Sequence, residues 1–340
     1  MLNRTEQNRT YASVDLCKFF MAVVVVAIHV HPFEGYEQSI GVDMYDFVCA
    51  VAVPFFFLCT GYFLARGMSN RDDVSALKLI KKYLKKTLWL YIAWSIAYVP
   101  LALLEYFTNT ALWWRDLASY MRNLVVTGEH YNSWILWYLL SASYGLVYAY
   151  MCVKHNLRIS RMVAVGFLLY LLGAVITDFC QYNGGLPDVL QLVHKGLRYC
   201  ISGRIFTSFF FIPMGMLIYK TDLAKWHGCL CMALGFVLWL LGVKDISVLK
   251  NAIIALSSAG LFVAVLNICL VDRPIYSNLR ISSMAVYFVH LWVWTVVYGI
   301  TYQQKTYGME MFLLTLCASW LISYGYICYR KQKSRRQTTA

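Results

Sequence analysis

The chain has 340 residues, of which 60% are hydrophobic and 14% charged. A soluble domain carries about 25% charge, so a water-soluble globular enzyme is excluded. The net charge of +13 would suit nucleic acid, but the cations sit between apolar runs, where the positive-inside rule explains them; no nucleic-acid partner is expected.

Many apolar runs approach the ~20 residues that cross a bilayer, and only short polar gaps separate them. The expected fold class is all-α integral membrane: one domain over residues 1–340 with a basic tail at 330–340. Ten transmembrane helices are predicted, near 14–32, 46–65, 87–106, 133–152, 162–179, 204–219, 228–243, 251–270, 282–300 and 309–329. The first run is too long for the apolar core of a cleavable leader and lacks a small-residue cleavage site, so it reads as a retained anchor. With the N-terminus inside, the inner segments hold Arg4, Arg9 and Lys18, the stretch from Arg66 to Lys86, then Lys154, Arg158, Arg161, Lys220, Lys225, Arg273 and Arg280, and the tail cations from Arg330 to Arg336. The first outer loop is acidic, with Glu34, Glu37 and Asp43. An N-in/C-in, multi-pass topology is expected.

The first span carries Asp15-x2-Lys18-x10-His29, then His31 and Pro32. Eleven steps of about 100° return to within roughly 20° of the same face, so Lys18 and His29 look one way, about 16 Å apart along the axis. Asp15 and Lys18 are spaced i,i+3 and can pair. Apolar surroundings favour the neutral form of His29, which suits a general base. His31 falls about 200° further round, off that face. Ionisable groups within a membrane helix point to a site inside the bundle; the same residues also fit an interfacial lysine that snorkels and a packing histidine.

In the second span, Pro54 and Gly61 allow a kink and a close helix approach. Between spans two and three, Lys78, Lys81, Lys82 and Lys85 are spaced i,i+3 and i,i+4. A helical continuation of span three would gather them into a cationic face able to hold phosphates; a topological anchor, or attraction to anionic lipid, fits the same charges. Long outer loops are expected near 107–132, ending in Glu129, His130 and Asn132, and near 181–203, where Asn-Gly-Gly reads as a turn. Trp134, Trp137 and Tyr138 fit an aromatic belt. Arg204 opens span six near the outer surface, and Tyr287 and His290 share span nine at i,i+3. Eleven cysteines scattered through apolar segments argue against a disulfide framework. No P-loop, zincin, nucleophile-elbow or dinucleotide motif occurs, and no metal-ligand set has a workable spacing, so no metal is expected.

Taken in order, these segments resemble acyltransferase family 3, the integral-membrane acyltransferases, over nearly the whole chain. Lys18-x10-His29 is similar to that family's Arg/Lys-x10-His motif. Val53-Pro-Phe-Phe-Phe-Leu-Cys-Thr-Gly61-Tyr-Phe is similar to its second-span signature, with Thr60 where Ser is usual. Lys82-x2-Lys85 stands where the family tends to have Arg-x2-Arg. Trp134-Ile-Leu-Trp137-Tyr138-Leu and Tyr287-Phe-Val-His290 are similar to two later segments. The resemblance implies an enzyme that moves an acyl group other than an aminoacyl group, most often acetyl, from cytoplasmic acyl-CoA to a hydroxyl of an envelope glycan or small acceptor beyond the outer face of the cytoplasmic membrane. It implies catalytic roles for His29, Lys18 and Asp15, donor contacts from Lys78, Lys81, Lys82 and Lys85, and acceptor contacts from Arg204, Tyr287 and His290. Residues 28–33 and the Trp137-Tyr138 region also resemble the membrane domain of serine/alanine racemases, which belongs to the same family and is linked to substrate uptake. No racemase domain is expected here. A non-catalytic membrane scaffold is the third reading, in which Lys18 and His29 could be exchanged for apolar residues without loss.

Overall fold

The computed structural model describes residues 11–108, 113–128, 133–182, 184, 187–200, 203–301, 304 and 306–338. Arg4, Arg9, Glu129, His130, Asn132 and most of the expected Asn-Gly-Gly turn lie outside the described residues. Twelve α-helices run through what is described: α1 (Ala12–Val30), α2 (Ile40–Met68), α3 (Asp73–Thr108), α4 (Trp113–Val125), α5 (Trp137–Lys154), α6 (Ile159–Gln181), α7 (Asp188–Cys200), α8 (Thr207–Lys220), α9 (Lys225–Leu240), α10 (Ser247–Leu266), α11 (Pro274–Thr301) and α12 (Met309–Thr338). Short 3-10 turns lead into α5 (Trp134–Leu136), α8 (Gly203–Phe206) and α10 (Val243–Asp245). No strand occurs among the described residues.

Eight of these helices are long and apolar enough to cross a membrane: α1, α2, α3, α5 with its 3-10 turn, α6, α10, α11 and α12. The chain is a multi-pass membrane protein. The segments expected as spans six and seven form shorter helices, α8 with 14 residues and α9 with 16. At 1.5 Å per residue they reach roughly 21 and 24 Å, less than the ~30 Å of a bilayer's hydrocarbon. In the other direction, α3 has 36 residues, roughly 54 Å, so its basic first third extends beyond the hydrocarbon. The expected helical continuation of span three is therefore present. Its start is defined by Asp72, whose carboxylate accepts the Ser75 backbone N–H at 3.4 Å. Hydrogen bonding from Ser75 holds that carboxyl below its usual range.

The two long outer loops are not plain loops. Residues 107–132 hold α4 and residues 181–203 hold α7. Leu117, Met121 and Val125 recur at i, i+4 and i+8 and are exposed, as are Val189, Leu192 and Val193 in α7. Short helices with an exposed apolar stripe suit the membrane interface. Tyr91 and Tyr144 donate from their hydroxyls to the Leu124 and Val125 carbonyls at the end of α4.

The chain forms two compact units, one of Met1–Phe55, Ala224–Leu230 and Gly260–Ala340, the other of Phe56–Leu223 and Cys231–Ala259. In the first, α11 packs on α1 and α12. Tyr45 donates to the Ala27 carbonyl at 2.9 Å, and the Gly308 N–H to that of Val30 at 3.2 Å. In the second, α6 and α5 pack on α8, and α3 packs on α5. A Cβ on Gly61 would drive into the Ile212 carbonyl, and one on Gly215 into the Leu58 carbonyl. These reciprocal backbone contacts explain why α2 and α8 each need a glycine at their crossing.

Candidate functional site

The first unit brings together ionisable groups from two membrane helices, α1 and α11. The apolar run from Phe19 to Ile28 is helical because in lipid its backbone groups must be satisfied within the segment, and its end is set locally. His31 adopts a left-handed conformation (φ 46°, ψ 66°) and its N–H closes on the Ala27 carbonyl. His31 thus lies beyond the helix rather than on its far face, and its ring meets Tyr307 edge-on at 5.5 Å.

Asp15 sits in the first turn of α1, where a negative charge is favoured by the helix dipole, and is 8% exposed. The expected pairing with Lys18 is present, Nζ to Oδ1 at 3.9 Å. The other carboxylate oxygen meets a residue that the sequence marks only as an inner cation: Arg280 of α11, Nη1 to Oδ2 at 3.3 Å. Arg280 also reaches the Ser277 hydroxyl at 3.5 Å through Nη2, while its side chain stays 56% exposed. The Asp15 carboxylate thus lies between two cations, and Asp272 adds a second carboxylate near enough to act on it.

At the other end of the same helix pair, the His29 and His290 rings lie nearly parallel, with centroids 5.4 Å apart and planes 18° apart. His290 is fully buried. A carbonyl can only accept, so the 3.1 Å contact from His290 Nδ1 to the Val286 oxygen puts the hydrogen on Nδ1 and the lone pair of the neutral ring on Nε2. That Nε2 is buried with no hydrogen-bond partner. Tyr287 is nearly buried; its ring packs edge-on against Phe288 at 5.0 Å and lies 6.3 Å from His290.

These two contacts fix the direction of α11. Asp15 meets Arg280 and His29 meets His290, so α1 and α11 run parallel. Their chemistry is in register: Lys18 precedes His29 by eleven residues and Arg280 precedes His290 by ten, about 16 and 15 Å of helix axis. Each helix carries a cation at one end and an imidazole further along. Arg280-x9-His290 is readable as a spacing, but its meaning depends on adjacency to α1.

The remaining sequence-predicted residues belong to the second unit. Lys78, Lys81, Lys82 and Lys85 are all exposed, while Ala76 and Ile80 on the opposite side of α3 are buried. The expected cationic face exists, and the Lys81 ammonium lies 5.2 Å from the centre of the Tyr150 ring. Arg204 sits in the 3-10 turn before α8, exposed, with its guanidinium 5.6 Å from the Trp137 ring. The turn is held by the Ser141 hydroxyl, which lies 3.2 Å from both the Arg204 and Ile205 carbonyls.

Among curated proteins the chain is similar to two amino-acid racemases of Enterococcus faecalis, 28% identical over 212 residues and 26% over 213, each alignment covering 62% of this chain. It is also similar to a serine/alanine racemase of Enterococcus gallinarum, 25% identical over 160 residues and 47% of this chain. The alignments cover 29%, 28% and 22% of those proteins, so the chain spans less than a third of the relatives it matches. No solved structure matches it. A family model described as an acyltransferase domain matches residues 11–328, nearly the whole chain, which therefore belongs to acyltransferase family 3 and carries its acyltransferase domain.

Proposed function

We propose that the protein transfers an acyl group, acetyl in the simplest case, from cytoplasmic acyl-CoA to a hydroxyl of an envelope glycan or other extracytoplasmic acceptor. The acceptor O–H bond breaks and its proton passes to the His29 imidazole as general base. The oxygen forms a bond to the thioester carbonyl carbon, the carbon–sulfur bond breaks, and the coenzyme A thiolate recovers the proton from His29. Lys18, held by Asp15, offsets the negative charge that builds on the carbonyl oxygen or the departing sulfur. Lys78, Lys81, Lys82 and Lys85 meet donor phosphates as point charges, and Arg204, Tyr287 and His290 contribute acceptor contacts. The chain crosses the cytoplasmic membrane ten times, with α8 and α9 as two short spans and both termini inside, as the distribution of cations favours.

The observation that carries this reading is the stacked pair of imidazoles, His29 and the buried His290, on helices whose other end is cationic, in a chain of this family. Its test is transfer of labelled acetyl from acetyl-CoA in membranes. His29→Ala abolishes transfer while the protein still accumulates and purifies as a single species. Lys18→Ala does the same, and Lys18→Arg keeps part of the activity. Full transfer by His29→Ala would remove the general base from the scheme.

A second reading is favoured by the racemase relatives: the domain admits an amino acid through the membrane. Proteoliposomes holding the purified chain would then accumulate labelled serine or alanine without any acyl donor, and His29→Ala would block accumulation.

A further inference from the structure

The parallel register of α1 and α11 sets a length. From the level of Lys18 and Arg280 to that of His29 and His290 is about 15–16 Å along the helix axes. A ligand whose reactive end meets the imidazoles places at the cationic end whatever it carries at that distance. In a phosphopantetheine thioester, about thirteen bonds separate phosphorus from sulfur, which at the ~1.2 Å per bond of an extended chain is roughly 15 Å.

The two ends match the two ends of such an arm. At one, Arg280 spends one nitrogen on the Asp15 carboxylate and another on a long contact to Ser277. Its side chain is more than half exposed, so an anion can approach it without displacing the ion pair, and a planar guanidinium suits a phosphate. At the other, His290 Nε2 is a fully buried lone pair without a partner, which costs free energy until a donor arrives; the arm's last amide N–H, three bonds before the sulfur, is such a donor.

We propose that Arg280 binds the phosphate at the root of a 4′-phosphopantetheine arm, and that α1 and α11 measure that arm so its thioester arrives beside His29 and His290. The inference rests on the acyl-transfer reading and adds to it a donor-specificity residue and a length rule. The shared chemistry is the phosphopantetheine thioester, which coenzyme A and acyl carrier protein both present.

The test uses membranes containing the full chain and three donors labelled in the acetyl group: S-acetylpantetheine, S-acetyl-4′-phosphopantetheine and acetyl-CoA. Readouts are thiol release and label retained in envelope material. In the wild type, adding the 4′-phosphate raises kcat/KM about 10- to 100-fold, the range for a hydrogen bond to a charged group. Arg280→Gln removes that gain while leaving S-acetylpantetheine turnover within about threefold, and Arg280→Lys restores part of it. A merely structural arginine would instead lower turnover of all three donors alike. A wild type indifferent to the phosphate, or an Arg280→Gln variant that keeps the full preference, would falsify the assignment. A wild type that transfers label from none of the three overturns the acyl-transfer reading, and this inference with it. Acetylated acyl carrier protein run beside acetyl-CoA identifies the source: faster transfer from either one names the arm's carrier and is consistent with Arg280 gripping the phosphate common to both.

Discussion

Asp15→Asn keeps the side chain's shape and removes its charge, and the surroundings of Asp15 rank the two ion pairs that are lost. At an effective dielectric of about 20, unit charges 3.3 and 3.9 Å apart attract by roughly 5 and 4 kcal/mol before solvent is considered. The longer contact is the more valuable one. Arg280 is 56% exposed, so water replaces most of what it loses, and its share falls to about 1 kcal/mol. The Lys18 side chain is only 17% exposed, and removing one partner of a buried pair costs about 3–5 kcal/mol. Asp15→Asn should therefore destabilise the protein by about 3 kcal/mol or more, and Arg280→Ala by about 1.

Thermal unfolding of detergent-purified protein, followed by a thiol-reactive dye on its buried cysteines, gives the comparison. Asp15→Asn should lower Tm on the order of 5 °C, and Arg280→Ala by much less. The double variant Asp15→Asn/Lys18→Met should recover most of the lost stability, because the poorly solvated ammonium is gone and the exposed Arg280 is met by water, yet stay inactive. Equal losses for Asp15→Asn and Arg280→Ala, or a double variant no more stable than Asp15→Asn, would refute the reasoning from exposure.

Other parts of the molecule can be tested in the same way. Lys82→Glu with Lys85→Glu, on the exposed face of α3, should weaken acetyl-CoA binding at least tenfold in a filter assay without changing Tm, while Lys82→Gln with Lys85→Gln should weaken it less; equal losses in the two variants would argue against a charge effect. Gly61→Ala sets a methyl group against the Ile212 carbonyl and should cost about 1–3 kcal/mol; because the contact is with backbone, no side-chain repacking relieves it, and an unchanged Tm would mean that the two helices separate freely. His31→Gly should be neutral or stabilising by up to about 1 kcal/mol, since the residue adopts φ 46° and glycine does so without steric cost; a marked loss of stability would instead assign that value to the Tyr307 contact.

Much of this architecture is legible in the sequence because the bilayer makes local rules decisive. Apolar length and cation placement locate every long helix, and i,i+3 spacing locates the Asp15–Lys18 pair. The same spacing rule locates the α3 face, where four lysines lie opposite Ala76 and Ile80. Helices α4 and α7 are also readable, from apolar positions such as Leu117, Met121 and Val125, but a search for spans passes over a helix too short to cross. What spacing along one helix cannot supply is the identity of the neighbour. Gly61 announces a close approach without naming Ile212, and Arg280 looks like one more inner cation.

The Arg280 case shows where additional information enters. Under the proposed topology α1 and α11 are both odd-numbered spans, so any such pair runs parallel and brings its inner cations to one level and its deeper residues to another. Register between two parallel helices thus comes from topology alone, to within a turn. Adjacency does not: several odd-numbered spans could have lain beside α1. Packing selects α11, and only then do Lys18-x10-His29 and Arg280-x9-His290 become two walls of one lane instead of two separate spacings. Their lengths differ by a single residue, about 1.5 Å, less than the reach of either cationic side chain. Both walls can therefore serve one ligand, and shortening or lengthening either interval by a full turn should be harder to tolerate than changing any single residue within it.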